Sequence, residues 1–272
     1  MPHNKKHNSA NSLPKNGSYV DAHIHLADKG YAGKVKETVE DAARHNVVRM
    51  LSNATDYQSS LDTISLAKKF PQRVLAAVGV HPSTVVERGN LQLQEFAKMI
   101  DANRPWIAAI GEIGLDGKYT QDERTKAKER EVFRFFLRLA EEKNLPVVVH
   151  SRQAVSETIN SLADFRLPSV LLHWYDGPIE NLPRFNKQRY MISIGPALLY
   201  SRKITEIARA ADADLILTET DGPVTYRGIF GNELTKPWFV AEVVWKLAEV
   251  RGTDSDAIES TVFSNFERYL SC

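Results

Sequence analysis

The chain has 272 residues, of which 43% are hydrophobic and 25% charged, a mix that provides for a sizeable core in one large domain or two small ones. Its formal net charge is only +1, which excludes a global basic field, so a nucleic-acid substrate would have to be held locally. The single cysteine, Cys272, excludes a disulfide framework within the chain and is a poor nucleophile candidate at that position.

Residues 1–18 are polar and rich in Asn, Ser and Lys. They lack the apolar segment of a secretory signal and read as a disordered tail carrying His3 and His7. No apolar run approaches membrane-spanning length, and a cytoplasmic location without a membrane partner is expected.

The first strand is Tyr19-Val20-Asp21-Ala22-His23-Ile24-His25. Residues two apart in a strand point to one side, so His23 and His25 project together and can share one metal ion. Beyond it, β-branched runs at 47–54, 74–80, 106–113, 146–149, 169–172, 190–194 and 214–217 read as strands. Between them, amphipathic patterns predict helices over 32–46, 57–70, 91–103, 121–144, 154–165, 179–186 and 201–211, with two more at 236–251 and 254–269. Eight strands alternating with helices predict an α/β fold with a parallel sheet. A closed (β/α)8 TIM barrel forming one domain over 19–272 accounts for the pattern, with a doubly wound open sheet as the alternative.

Five histidines, His23, His25, His81, His150 and His173, stand at or just past the C-terminal ends of predicted strands, the functional rim of such a barrel. His45 lies near a helix end and reads as solvated. Glu112 ends the fourth strand and Asp221 follows the eighth. A carboxylate at the end of an apolar strand is costly unless paired or metal-bound. Imidazoles and two carboxylates together form a donor set for two divalent ions, Mg2+, Mn2+ or Zn2+. The wide spacing of the donors excludes a zinc finger, and Walker, Rossmann and Gly-x-Ser-x-Gly signatures are absent from the sequence.

Val20-Asp21-Ala22-His23-Ile24-His25-Leu26, Gly79-Val80-His81-Pro82, Gly111-Glu112-Ile113-Gly114-Leu115-Asp116, Pro146-Val147-Val148-Val149-His150-Ser151-Arg152 and Glu219-Thr220-Asp221 occur in that order. They resemble the motifs of the TatD-type metal-dependent deoxyribonucleases, a family of the amidohydrolase superfamily, from about residue 19 to residue 270. The resemblance implies a phosphodiesterase acting on DNA, as a 3′–5′ exonuclease or an endonuclease at damaged sites. By position, it makes His23, His25 and Asp221 ligands of one ion, His150 and His173 ligands of the second, and Glu112 the bridge. His81 resembles the phosphate-facing histidine, and Arg227-Gly228 with Asn232-Glu233 resembles the loop after the last strand. Several positions depart from the pattern. Trp174, Tyr175 and Asp176 replace Cys-Phe-Ser after His173, and Gly117 and Lys118 replace an aromatic pair. Leu234 stands where Pro is typical, and Phe136 where Gln is common. None removes an implied ligand.

Chemically, divalent ions acidify a water that attacks phosphorus, with Asp221 placed to take its proton and Glu112 holding the pair. Arg152 and His81 suit non-bridging phosphate oxygens. Tyr119, Trp174 and Tyr175 stand in loops where unpaired bases could stack. The low net charge favours single-stranded or frayed DNA ends as partner, and no obligate protein partner is inferred. The competing readings are a metal-dependent ester or amide hydrolase, such as a deacylase acting on charged tRNA, and a non-catalytic metal-binding scaffold.

Overall fold

The structure, a computed structural model, describes residues 17–88, 91–119 and 122–271. The predicted tail falls mostly outside these residues, as do His3, His7 and Cys272. At its end, the Ser18 N–H donates to Glu259 Oε1 at 2.6 Å, tying the start of the first strand to the last helix.

Eight strands alternate with helices in chain order. They are β1 (Tyr19–Ile24), β2 (Val47–Asn53), β3 (Val74–Val78), β4 (Ile107–Gly114), β5 (Val147–His150), β6 (Val170–Leu172), β7 (Met191–Ile194) and β8 (Ile216–Thr218). The helices are α1 (Val35–Arg44), α2 (Tyr57–Lys69), α3 (Pro82–Arg88), α4 (Leu93–Asn103), α5 (Glu123–Lys143), α6 (Val155–Leu162), α7 (Leu182–Gln188), α8 (Arg202–Ala210), α9 (Phe239–Arg251) and α10 (Ser255–Leu270). Each strand pairs in parallel with the next, from β1 to β8. The sheet is a nearly closed (β/α)8 barrel, so the open-sheet alternative is excluded.

Strands covered by helices outside and by opposing strands inside should be apolar throughout, and β1, β6, β7 and β8 are buried at every position. The seam between β1 and β8 is closed by polar contacts rather than a regular ladder. Thr218 Oγ1 donates to the Val20 carbonyl at 2.9 Å. Asp21 accepts from the Thr220 N–H at 3.0 Å and from the Thr220 hydroxyl at 2.5 Å. The Asp221 N–H donates to the His23 carbonyl and the His25 N–H to the Gly222 carbonyl, both at 2.8 Å. These bonds bring the two histidines of β1 alongside Asp221.

Local sequence sets the helix limits. Asp56 and Ser59 form a capping box at the start of α2, Asp122 caps α5, and α9 stops at Gly252 with a positive φ of 63°. Phe136, a departure from the family pattern, lies fully buried on α5 with its ring against Phe96 of α4 and Phe135. It fills the layer between helices and barrel, away from the mouth.

The helix α3 is an addition to the expected elements. Pro82 occupies its first position, where the missing N–H costs nothing. The His81 ring accepts from the Ser83 N–H at 3.1 Å, in the manner of a cap. An imidazole in that role is outside the usual Ser/Thr/Asp/Asn signal.

Candidate metal centre

Glu112 is carried to the centre of the barrel mouth by the end of β4. Gly114 pairs with His150 across β4 and β5 and has φ +147°; a Cβ there would lie 2.1 Å from the His150 carbonyl oxygen. Only glycine permits this approach, which places Glu112 beside His150. Asp221, three residues past the end of β8, adopts a left-handed φ of 49°, and Trp174, two residues past β6, one of 40°. Such conformations cost of order 1–3 kcal/mol each and cluster at functional rims.

The carboxylate of Glu112 divides two donor sets. Its Oε2 lies 3.4 Å from both His23 Nε2 and His25 Nε2. Those nitrogens are 3.1 Å apart, and Asp221 Oδ1 is 3.3 and 3.2 Å from them. Four donors bound at 2.0–2.1 Å around one ion stand about 3.4 Å apart, so this spacing fits a divalent cation. The other oxygen, Oε1, lies 2.8 Å from His150 Nδ1 and 2.7 Å from His173 Nε2, which are 3.3 Å from each other. The first set fits an ion as it stands, whereas the second brings the same donor types together at hydrogen-bond spacing; Glu112 faces each through a different oxygen. The donor types, imidazole and carboxylate, suit Zn2+ or Mn2+.

Neighbouring acceptors select which nitrogen is available. The Asn53 carbonyl at 2.9 Å takes the Nδ1 proton of His25, leaving Nε2 for an ion. Asp116 Oδ2 at 2.8 Å takes the Nε2 proton of His150, leaving Nδ1. Asp116 also accepts the N–H groups of Lys118 and Tyr119 at 2.7 and 3.0 Å, so it orders the loop after β4 as well. His81 differs. Its Nδ1 accepts from the Ser83 backbone, so Nε2 carries the proton and points at Glu112 Oε1 from 3.4 Å. In this tautomer the ring presents an N–H to the centre, although His81, Glu112 and His150 together also lie close enough to hold an ion.

The electrostatics follow. Burial opposes charge on His25, but the Asp221 and Glu112 carboxylates outweigh it and lift the imidazole to about 9. Burial likewise opposes charge on His173, and Glu112 overrides it to raise the group well above its ordinary value. Burial dominates at His81 and pulls it down to about 4, keeping it neutral. Burial works against ionisation of Glu112 and Asp221 too, yet the surrounding imidazoles hold both below the usual carboxylate range. Without a cation, protons on His25 and His173 would balance the carboxylates, and a bound cation would displace them.

A cavity of about 540 Å3 opens above the centre, with His81, Tyr119, Arg152 and Trp174 in its wall. Arg152 is exposed and stands 6.0 Å over the Tyr119 ring. Tyr119 is 46% exposed. Trp174 faces the cavity with its ring 5.7 Å from Tyr226, in a cluster with Phe230, Phe239 and Trp238. Tyr175 is buried, donates its hydroxyl to the Pro178 carbonyl at 2.6 Å and packs on Phe185, so it offers no face for a base. Arg227 is exposed on the loop after β8, outside the wall of the cavity. That loop is secured by its own contacts: Tyr226 donates to the Thr220 carbonyl at 2.7 Å, and the Asn232 N–H to the Tyr226 carbonyl at 3.0 Å. His45, expected to be solvated, donates its Nδ1–H to the Asp41 carbonyl at 2.8 Å and stacks on Trp238, remote from the centre.

Three acidic side chains at the centre were not expected from the sequence: Asp116 beside His150, Asp21 at the seam, and Glu219 beneath His173. Asp21 precedes His23 by two residues within β1, the spacing that puts strand side chains on one side, whereas Glu219 lies just past the end of β8.

The barrel and the donors at its C-terminal mouth define a metal-dependent hydrolase. The family model described as TatD related DNase matches residues 20–271, and the chain belongs to that family. An uncharacterized metal-dependent hydrolase of Methanocaldococcus jannaschii is 30% identical over 247 residues, covering 91% of this chain and 94% of the relative. The 3'-5' ssDNA/RNA exonuclease TatD of Pectobacterium carotovorum is 25% identical, over 91% of this chain and 97% of its own. The crystal structure of YjjV, a TatD homologue from Escherichia coli K12, superposes with a TM-score of 0.86 at 24% identity, covering 93% of this chain and 98% of that one. Among the described residues, no helix is long and apolar enough to cross a membrane.

Proposed function

We propose that this chain is a deoxyribonuclease that hydrolyses phosphodiester bonds, working on single-stranded or frayed ends in the 3′–5′ direction. One observation carries the reading. The two oxygens of Glu112 face separate donor sets at the floor of an open cavity, and a neutral imidazole donor and the exposed guanidinium of Arg152 border it. Membership of a family described as DNases and the Pectobacterium relative's named activity support it.

His23, His25 and Asp221 would hold one ion, His150 and His173 the other, and Glu112 both. When bound, the ions would supply a water acidified to near-neutral pKa and neutralise charge on phosphate. Asp221 stays a carboxylate at neutral pH, the form that accepts a proton from the attacking water. His81 offers Nε2–H to a non-bridging phosphate oxygen. Arg152 can bind a second such oxygen through its planar fork. Tyr119, beside Arg152, offers an exposed ring on which the base next to the scissile phosphate can stack. Arg227, farther out, would meet the strand beyond the cavity.

The test is product analysis on end-labelled single-stranded and duplex DNA, repeated with Mg2+, Mn2+ and Zn2+. Successive loss of nucleotides from the 3′ end of the single strand is expected. Tyr119→Ala should weaken binding of that strand by about 1–3 kcal/mol with little change in turnover at saturation. Internal cuts at damaged sites would replace the exonuclease reading with the endonuclease one. Intact DNA together with hydrolysis of aminoacyl-tRNA would replace both with a deacylase.

A further inference from the structure

The metal centre leaves one buried carboxylate unassigned. Glu219 is fully buried, and its Oε2 accepts the Ser193 hydroxyl at 2.6 Å while its Oε1 has no hydrogen-bond partner. A buried carboxylate in that state is costly unless a donor faces it. Two donors are at hand. The Nδ1 atoms of His23 and His173 are buried and also lack partners. His23, His173 and Glu219 each place one ligand-capable atom within 4.8 Å of the others, and His173 Nδ1 is 3.7 Å from Glu219 Oε2.

The ring geometry explains why these orphans share one place. The His23 and His173 imidazoles stack with centroids 3.9 Å apart and planes inclined by 7°. Both aim Nε2 at Glu112, at 3.4 and 2.7 Å. The Nδ1 edges of the stacked pair then lie together on the side away from Glu112. A third cation among these atoms is disfavoured, because each imidazole would have to give up both ring protons to bind ions at both nitrogens. Protons on Nδ1 satisfy the same atoms at no such cost.

We propose that Glu219 is a positioning residue: its carboxylate is the common acceptor for the Nδ1–H groups of His23 and His173, and so turns an Nε2 lone pair of each ring toward Glu112. One carboxylate would thereby orient a ligand from each of the two donor sets. Ser193 fixes the carboxylate from the far side, and its oxygen also accepts the Trp174 N–H at 3.1 Å, linking this floor to the residue after His173. Acceptors of this kind behind metal-binding histidines raise metal affinity and set the ring orientation. The assignment rests on the proposed ligand set.

The test uses full-length protein stripped by chelator and titrated with Zn2+ against a chromophoric competitor, for wild type, Glu219→Gln and Ser193→Ala. In Glu219→Gln one ring loses its acceptor, and affinity should fall about 10–100-fold, while the thermal midpoint of the metal-free protein holds or rises. Ser193→Ala should move affinity in the same direction by less, and it keeps the test intact if the glutamine variant fails to fold. Imidazole nitrogen NMR of the Zn2+-loaded wild type should show the proton on Nδ1 of both rings. Unchanged Zn2+ affinity in both variants, Nδ1 as the ion-binding atom, or a third ion per chain would overturn the assignment of Glu219 alone. A wild-type protein that binds no ion would overturn the ligand set, and this assignment with it.

Discussion

Glu112→Gln is expected to lower turnover by at least about 10³-fold, the scale seen when a group that organises an entire catalytic unit is removed. Each carboxylate oxygen faces a different donor set, so one substitution affects both. Glutamine is the same size but presents one oxygen and one NH2 group, and the NH2 group cannot ligate a cation. Whichever way the amide turns, one set loses its bridging donor. The barrel core does not pass through this side chain, so a cooperative unfolding transition should persist. Paired turnover and thermal-melt measurements check this, and activity near the wild-type level would contradict the central role of Glu112.

Removal of divalent ions should have an effect of similar size. Protein dialysed against a strong chelator is expected to be inactive, and added Zn2+ or Mn2+ should restore it. The restoration carries a pH signature whose sign follows from the histidines. His25 in the metal-free centre is lifted to about 9, so at pH 7 it holds a proton that an ion must displace. Apparent metal affinity should therefore rise with pH above 7, about tenfold per unit for each proton displaced. Titrations at a series of pH values check this. Affinity that falls as pH rises from 7, or cleavage insensitive to chelator, would contradict it.

Much of this centre was legible because barrel geometry converts strand ends into a single rim. Alternation of apolar runs with helical patterns fixed eight strands, and the histidines fell at their ends. The same period-two spacing that pairs His23 with His25 also pairs Asp21 with His23. What spacing along one strand does not contain is the partner across the barrel. Glu219 beneath His173 and Asp116 beside His150 depend on how neighbouring strands align, which only the folded sheet supplies. Helix α3 was missed because its first residue is a proline and its capping acceptor an imidazole, a combination that reads as the end of a strand. Tyr175 reads in the sequence like its neighbour Trp174, but the turn after β6 sends it into the core, with its hydroxyl bonded to the Pro178 carbonyl. The side to which a loop aromatic points is set by backbone conformation, such as the left-handed φ at Trp174, and not by residue type.

The most direct measurement is anomalous diffraction from crystals of the protein grown with Mn2+ or Zn2+. Two anomalous peaks are expected on opposite sides of the Glu112 carboxylate, one among His23, His25 and Asp221, the other between His150 and His173. Peaks elsewhere, a single peak, or none at full occupancy of metal in solution would contradict a two-ion centre bridged by Glu112.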